Sequence, residues 1–157
     1  MLHLLFKAGD DLCVLDARRI REVAQLVNLQ ALHGAPACLA GICIYRGVVI
    51  PVLDAGLLTG HQACPRFLST RIAMVSYAGE GDGERIIGVM AASATEMVDM
   101  AETDFASDAI PPGKASWCDG VGRGPGGVLY RVNPDGLLPP EMKDILAVLS
   151  TIGLESS

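Results

Sequence analysis

Residues whose side chains could support catalysis or metal binding are few and widely spaced in this chain. His3, His33 and His61 have no histidine partner one helical turn away and no nearby pair of carboxylates, which a metal site or a general base would require. Ser69 and Ser116 lie outside any Gly-x-Ser-x-Gly nucleophile motif. We therefore predict no catalytic residues, no metal ligands and no cofactor.

Two patterns imitate functional motifs. The segment Gly122-Arg-Gly-Pro-Gly-Gly127 formally satisfies G-x-G-x-x-G, but that motif binds phosphate only where a helix follows, and here a strand is predicted to follow. The acidic segment 96–108 lacks the ligand spacing of an EF-hand. We interpret the first as a hairpin loop, and the second as a solvated acidic segment in which Met97, Val98 and Met100 touch the core.

The cysteines do not form a framework. The chain has five, an odd number without a Cys-x-x-Cys pair, namely Cys13, Cys38, Cys43, Cys64 and Cys118. Disulfide scaffolds and zinc sites both need paired, closely spaced ligands. The cysteines are therefore expected to be reduced thiols in a cytoplasmic protein.

Composition narrows the class of protein. Of the 157 residues, 50% are hydrophobic and only 4% aromatic, and there are 18 Gly and 9 Pro. Frequent turns and an aliphatic core favour a multi-stranded β architecture, in one domain or in two small subdomains that share a core. The formal charge of −6 disfavours nucleic acid or an anionic membrane as a partner. Residues 2–6 are too short for a signal peptide, and no apolar run is long enough to insert into a membrane.

The segment 39–54 carries the strongest structural signal. Two aliphatic stretches, 42–45 and 48–52, are joined by Arg46-Gly47, which predicts a β-hairpin because Gly supplies the positive φ of a tight turn. Pro51 lacks an N–H and predicts an edge strand or a bulge. Asp54 is expected to cap a short helical turn that ends at Gly60.

Other elements follow from periodicity and turn residues. Trp117 is expected to pack in the core or against a loop, within a turn-rich region at 113–127. Periodicity leaves the segment from Ile20 to Leu32 open between helix and strand. Strands are predicted at 2–6, 12–15, 71–77, 85–91 and 128–132, and a long C-terminal helix at 139–149 with Met142, Ile145, Leu146 and Leu149 as its apolar stripe.

The hairpin resembles the signature of CheW-like domains, which are coupling (adaptor) proteins of bacterial chemotaxis. The signature reads Gly-x-x-x-x-Arg-Gly-x-(apolar)-(apolar)-Pro-(apolar)-(apolar)-Asp, and its fixed positions are occupied here by Gly41, Arg46, Gly47, Pro51 and Asp54. Four more segments resemble the family in the same order along the chain: 4–12, 20–23, 86–89 and 120–133. The resemblance thus covers nearly the whole chain.

The resemblance implies a fold and a function. The fold would be mainly β, with two intertwined SH3-like five-stranded β-barrel subdomains and a C-terminal helix in a single CheW-like domain spanning 1–157, and with a strand starting near Ile20. The function would be that of a non-catalytic adaptor. It would couple the cytoplasmic tip of chemoreceptors (methyl-accepting chemotaxis proteins) to the regulatory domain of a CheA-type histidine kinase, in the cytoplasm at membrane-bound receptor arrays.

The resemblance also nominates a partner surface, in which Arg46 pairs with Glu22. The predicted partner-binding residues are Ile20, Glu22, Gly41, Arg46, Gly47 and Val49. Cys43, Tyr45 and Arg131 depart from the residues usual in the family, which points to a specialised chemosensory pathway. The alternative is a small β-barrel ligand-binding domain or enzyme. That alternative requires a polar pocket holding His33 or His61 beside a carboxylate.

Overall fold

The computed structural model describes residues 1–26, 28–78, 84–124, 126–142 and 144–145. A four-residue helix, α1, spans Ala55–Leu58, and short 3-10 turns lie at Ala17–Arg19, Glu102–Asp104, Pro112–Lys114 and Pro134–Gly136. Strands in the described part of the chain are β1 (Leu2–Ala8), β2 (Asp11–Asp16), β3 (Ile20–Gln25), β4 (Leu39–Tyr45), β5 (Val48–Asp54), β6 (Arg71–Ala78), β7 (Glu84–Asp99), β8 (Cys118–Gly124) and β9 (Gly127–Val132).

The strands form two five-stranded subdomains that share β7. In the first subdomain, β1 pairs antiparallel with β2 and with the 92–99 part of β7, β2 pairs parallel with β9, and β9 pairs with β8. In the second, the 84–91 part of β7 pairs with β6, β6 pairs with β3, and β5 joins β7 to β4. The chain begins in the first subdomain, builds the second, and returns through β7. This confirms the expected mainly-β, intertwined architecture.

Neither set of strands closes completely. Within the described residues, no ladder joins β3 to β4 or β7 to β8, and single bridges lie near these openings, at Gln30–Ile42 and Ala106–Val121. Pro51 fits this arrangement, because β5 gains its second neighbour, β7, only from Val52 onward. The missing N–H of Pro51 therefore costs no ladder hydrogen bond on that side.

The core follows from alternation along the strands. On β6, Ile72 and Met74 face a cluster inside the second subdomain, while Ala73, Val75 and Tyr77 face a central cluster that takes residues from both subdomains. A third, smaller cluster fills the first subdomain around Val14, Met100 and Leu129. Because successive strand residues point to opposite faces, β6 and β7 contribute to two clusters at once. Trp117 is buried in the central cluster, which confirms its core role.

The acidic segment after residue 91 differs from the prediction. Residues 92–99 continue β7 beyond the predicted end of the strand at residue 91, while the acidic side chains of 96–108 are exposed as expected. Ala94 and Met100 are buried and Val98 is half-buried, whereas Glu96 and Met97 are exposed, so Met97 does not touch the core as expected. Ser93, with φ +54°, lies where the pairing register shifts between β1 and β7. The strand was missed because its small and polar residues show no apolar alternation.

The second difference is β8, which was expected to be part of a turn-rich region. Because glycines stand at alternate positions of β8, the strand lacks the alternating apolar side chains by which a strand is recognised in a sequence. The glycines are nevertheless needed for packing. A Cβ at Gly120 would lie 3.0 Å from Cβ of Phe105, and one at Gly122 would lie 3.0 Å from the backbone oxygen of Asp104. The glycines therefore let the 104–105 backbone pass closely over the strand.

Two other expectations concern the chain after β2. The segment from Ile20 is a strand, as the family resemblance implies. Of the predicted C-terminal helix at 139–149, residues 143 and 146–149 lie outside the described residues, among them Leu146 and Leu149 of the expected apolar stripe. Near its start, Met142 is fully buried and Ile145 packs against the central cluster. In the part of the chain that the structure describes, no helix has the length and apolar character needed to span a bilayer.

Candidate functional site

The β4–β5 hairpin turns through two residues with positive φ. Arg46 has φ +52° and Gly47 has φ +81°, the pair of left-handed conformations that a type I′ turn requires. Gly adopts this conformation freely, whereas Arg does so at a cost of roughly 1–2 kcal/mol. The turn projects Arg46 into solvent at the end of the hairpin.

Arg46 forms the predicted ion pair with Glu22. Its Nη2 lies 3.6 Å from Oε1 of Glu22, and the two side chains are 74% and 46% exposed. The guanidinium also lies over the ring of Tyr45, 5.3 Å from its centroid. Because Glu22 is on β3, the pair spans the opening between β3 and the β4–β5 hairpin. An exposed pair of this kind adds only about 0.2–1 kcal/mol to folding.

Apolar side chains lie beside this pair in the sequence and remain exposed. Val23 follows Glu22 on β3, while Ile44 and Val48 flank the hairpin turn, and all three are exposed. We call Glu22, Val23, Ile44, Arg46 and Val48 the hairpin surface. Sequence reasoning missed its apolar members. The alternation of β4 and β5 could have identified Ile44, because Cys43 and Tyr45 on either side of it are half-buried.

Other predicted partner residues lie beneath or beside this surface. Val49 is buried and its side chain lies beneath the surface, whereas its neighbour Val48 is exposed. Gly41 is also buried, and a Cβ there would meet Cβ of Leu29 at 2.8 Å. Ile20 is half-buried against the central cluster. These residues support the surface because they position its strands, while Gly47 is exposed at the turn.

His61 contacts one carboxylate in the folded chain, which its position in the sequence did not indicate. Its Nε2 lies 3.2 Å from Oδ2 of Asp11, and its Nδ1 lies 2.9 Å from Oγ1 of Thr59. The Thr59 hydroxyl also donates to the carbonyl of Ala55 at 2.8 Å, so it is a helix-capping group and not a free nucleophile. Nζ of Lys114 lies 2.8 Å from the same Asp11 oxygen.

This polar network joins the two subdomains. Asp11 is on β2 of the first, whereas His61 follows α1 of the second. The hydrogen bond to Asp11 raises the pKa of Lys114, so the lysine is charged at neutral pH and neutralises the carboxylate. The groups satisfy one another and do not converge on a cavity that the structure describes. Among the described residues, no cluster of three or more His, Cys, Asp or Glu side chains could hold a metal ion.

Arg131 places an unusual charge inside β9, and its contacts explain how the strand accommodates that charge. Its Nε lies 2.7 Å from Oδ1 of Asp119 and its Nη1 lies 2.9 Å from Oε2 of Glu102, and its guanidinium lies over the ring of Phe105. Two carboxylates and an aromatic face thus compensate a largely buried cation. Arg131 has a structural role in the first subdomain.

Fold and site together define a β-structured scaffold whose exposed features suit protein contacts. The model of the CheW-like domain family matches residues 2–141, and the chain belongs to this family. Scaffolding protein TtCheW from Thermoanaerobacter tengcongensis has a similar crystal structure, with a TM-score of 0.80, 20% identity and 92% of each chain covered. No curated protein matches the sequence. Membership of this family supports the prediction of a non-catalytic protein.

Proposed function

We propose that this protein couples chemoreceptors to a CheA-type histidine kinase, with the receptor tip on one side and the kinase regulatory domain on the other. It would act in the cytoplasm at receptor arrays. The observation that carries this proposal is the hairpin surface: an exposed Glu22–Arg46 pair, flanked by exposed aliphatic side chains, across the opening between β3 and β4. Family membership supplies the class of partner.

The geometry suits a helical partner. An amphipathic helix placed along the opening would bury its apolar stripe on Ile44, the most exposed aliphatic side chain beside the hairpin turn. The planar fork of Arg46 recognises a carboxylate in a fixed orientation, and Glu22 holds that fork in position. The surface therefore supplies apolar anchoring and a directional polar contact, and the rigid strands below it reduce the entropy lost on binding.

The test is a binding measurement with purified receptor cytoplasmic fragment and kinase regulatory domain from the same genome. We expect micromolar affinity, about −8 kcal/mol, which becomes strong only through the multivalency of an array. Arg46→Ala and Ile44→Ala are each expected to weaken one of these contacts by about fivefold or more, close to 1 kcal/mol.

Arg18→Ala is the matched control. Its side chain is 72% exposed and pairs with Asp16, like Arg46 with Glu22, but it lies outside the hairpin surface. Its binding should stay within about twofold of the wild type. Absence of binding to both partners, or an equal loss in Arg18→Ala, would contradict the proposal.

A further inference from the structure

The guanidinium of Arg46 lies over the aromatic ring of the residue before it. Its central carbon is 5.3 Å from the centroid of the Tyr45 ring, within the roughly 6 Å at which an aromatic face attracts a cation. Successive residues of a strand project to opposite faces, so neighbours in a strand do not normally make such a contact. The φ of +52° at Arg46 ends the alternation at the turn, and the guanidinium comes to lie over the ring of its neighbour.

The ring of Tyr45 is held in place by the strand that carries it. Tyr45 is half-buried and packs against the cluster inside the second subdomain. It is the last residue of β4 and pairs with Val48 across the turn. The Arg46 side chain, in contrast, is 74% exposed, so packing does not restrict its rotamers. The ring is therefore a rigid platform for a side chain that is otherwise free to rotate.

The ion pair with Glu22 draws the guanidinium to one side but leaves its orientation open. The distance of 3.6 Å between Nη2 of Arg46 and Oε1 of Glu22 is longer than a hydrogen bond, so the attraction is Coulombic and is not directional. In the described part of the chain, no acceptor lies within hydrogen-bond distance of this guanidinium. Its orientation therefore depends on the ring of Tyr45, which favours a guanidinium lying over its face.

Arg18 shows the opposite arrangement. Its Nε and Nη2 donate to both oxygens of Asp16 at 2.7 to 3.2 Å, so these donors are used within the chain. Arg46 is as exposed as Arg18, yet its N–H groups have no acceptor among the described residues while Tyr45 holds the cation at the surface. Unused donors on an oriented guanidinium suit an acceptor that another molecule supplies.

We infer that Tyr45 is a positioning residue for the partner contact of Arg46, an inference that rests on the proposed function. The ring holds the guanidinium so that its outward N–H edge meets a carboxylate of the partner in one orientation. Less rotamer freedom is then lost when the partner binds. Tyr45 acts through Arg46 and not through its own hydroxyl, so a ring without the hydroxyl serves the same purpose.

Binding of the receptor fragment and the kinase domain by variants of Tyr45 tests this inference. Tyr45→Leu keeps apolar bulk for the cluster but removes the aromatic face, and it should weaken the interaction that Arg46→Ala weakens by about three- to fivefold. Tyr45→Phe keeps the face and should bind within about 1.5-fold of the wild type. In the background of Arg46→Ala, Tyr45→Leu should cause no further loss, because no guanidinium is left to position.

Cys43→Ala is the matched control for packing. Cys43 lies two residues before Tyr45 on the same face of β4 and packs against the same cluster, but it carries no ring. The variant should be less stable than the wild type and should bind within about 1.5-fold of it.

Nuclear magnetic resonance tests the geometry without a partner. The ring current of Tyr45 should shift the side-chain proton resonances of Arg46 upfield in the wild type and in Tyr45→Phe. The shift should be absent in Tyr45→Leu.

The outcomes separate this inference from the proposed function. If Arg46→Ala weakens binding but Tyr45→Leu does not, or if the two effects are additive, the ring does not position the guanidinium and only the proposed function stands. An equal loss in Tyr45→Phe or in Cys43→Ala, or the absence of the upfield shift in the wild type, would also overturn the inference. If the wild type binds neither partner, the proposed function fails and the role of Tyr45 fails with it.

Discussion

Arg46 shows a conflict between local conformation and surface chemistry. Its φ of +52° suits Gly, Asn or Asp, and the adjacent ion pair with Glu22 is too exposed to offset the conformational cost. Residues that break a local rule without a gain in stability are expected at functional sites. The guanidinium at this position is therefore explained better by a partner contact than by folding.

Arg46→Asn separates these two roles. Asn tolerates the left-handed turn conformation and removes the cation, so we expect the free energy of unfolding to stay within about 1 kcal/mol of the wild type or to rise. Partner binding should weaken as in Arg46→Ala. Arg46→Lys should fall between, because it keeps the charge and loses the planar fork. Urea unfolding and binding titration measure the two effects.

A double-mutant cycle with Glu22→Ala completes this test. Coupling between the two residues should appear in the binding free energies and be small in stability. Strictly additive effects in both assays would show that the residues do not act as a pair.

The buried cysteines predict how stability changes at alkaline pH. Burial raises the pKa of the Cys13 thiol from 9.0 to about 12 and that of Cys64 to about 11. Above pH 9 the unfolded chain loses protons that the folded chain keeps, so the free energy of unfolding must fall as pH rises from 9 to 12. Below pH 9 this contribution is fully present.

Urea unfolding at several values between pH 8 and 11 measures the slope. Tyr77 and Lys114 also have raised pKa values and contribute with the same sign. Cys13→Ala removes one of these thiols. The variant should be less stable at every pH, but its free energy of unfolding should fall less steeply with pH, by the equivalent of up to one proton. An unchanged slope in this variant would show that the Cys13 thiol ionises normally in the folded protein.

Among the elements, the hairpin, α1 and the following loop depend on one carboxylate. Asp54 is buried, and it accepts hydrogen bonds from the N–H groups of Leu57 at 3.1 Å and Cys64 at 3.0 Å. The first bond is the helix cap that the sequence predicts, whereas the second fixes the base of the loop between α1 and β6. A single side chain therefore connects three consecutive segments of the second subdomain.

Asp54→Ala should be strongly destabilising. It leaves two backbone N–H groups without their acceptor, each at a cost of about 1–3 kcal/mol when buried. Asp54→Asn keeps one oxygen acceptor and should lose less. Urea unfolding of both variants provides the measurement, and a loss below about 0.5 kcal/mol for Asp54→Ala would contradict this role.

At the scale of the whole molecule, the two subdomains are joined by shared structure. β7 belongs to both, the central cluster contains residues from both, and the Asp11–His61 contact crosses between them. Neither subdomain can lose its packing without exposing part of the other. Unfolding is therefore expected to be a single cooperative transition.

Two core variants and two probes test this cooperativity. Leu15→Ala in the first subdomain and Val75→Ala in the second each truncate a fully buried residue of the central cluster, and Leu15→Ala should cost about 2–5 kcal/mol. Fluorescence of Trp117, the single Trp, and far-UV circular dichroism should report the same midpoint in every variant. Two separate transitions, or midpoints that diverge, would show that the subdomains unfold independently.

Features that depend on local conformation could be predicted from the residues that carry them. Gly47 determines the conformation of the hairpin turn. Pro51 marks the point at which β5 lacks a second neighbouring strand, and Asp54 marks the start of α1. Gly47 acts through its wide φ range, Pro51 through its missing N–H donor and Asp54 through its side-chain acceptor. Their effects can therefore be predicted without knowledge of distant segments. The pairing of Glu22 with Arg46 was predicted from the family resemblance and not from periodicity.

Features that depend on contacts between distant segments become visible only in the folded chain. The continuation of β7 through an acidic stretch requires β1 as its partner, and β8 is recognisable as a strand only when its glycines meet Phe105. His61 meets Asp11 only when the segment after α1 packs against β2, and Val49 is buried because neighbouring segments cover both faces of β5 beyond the turn. Side-chain alternation reverses with a shift of one residue. Which face of each strand meets a partner is therefore set by the assembled sheets.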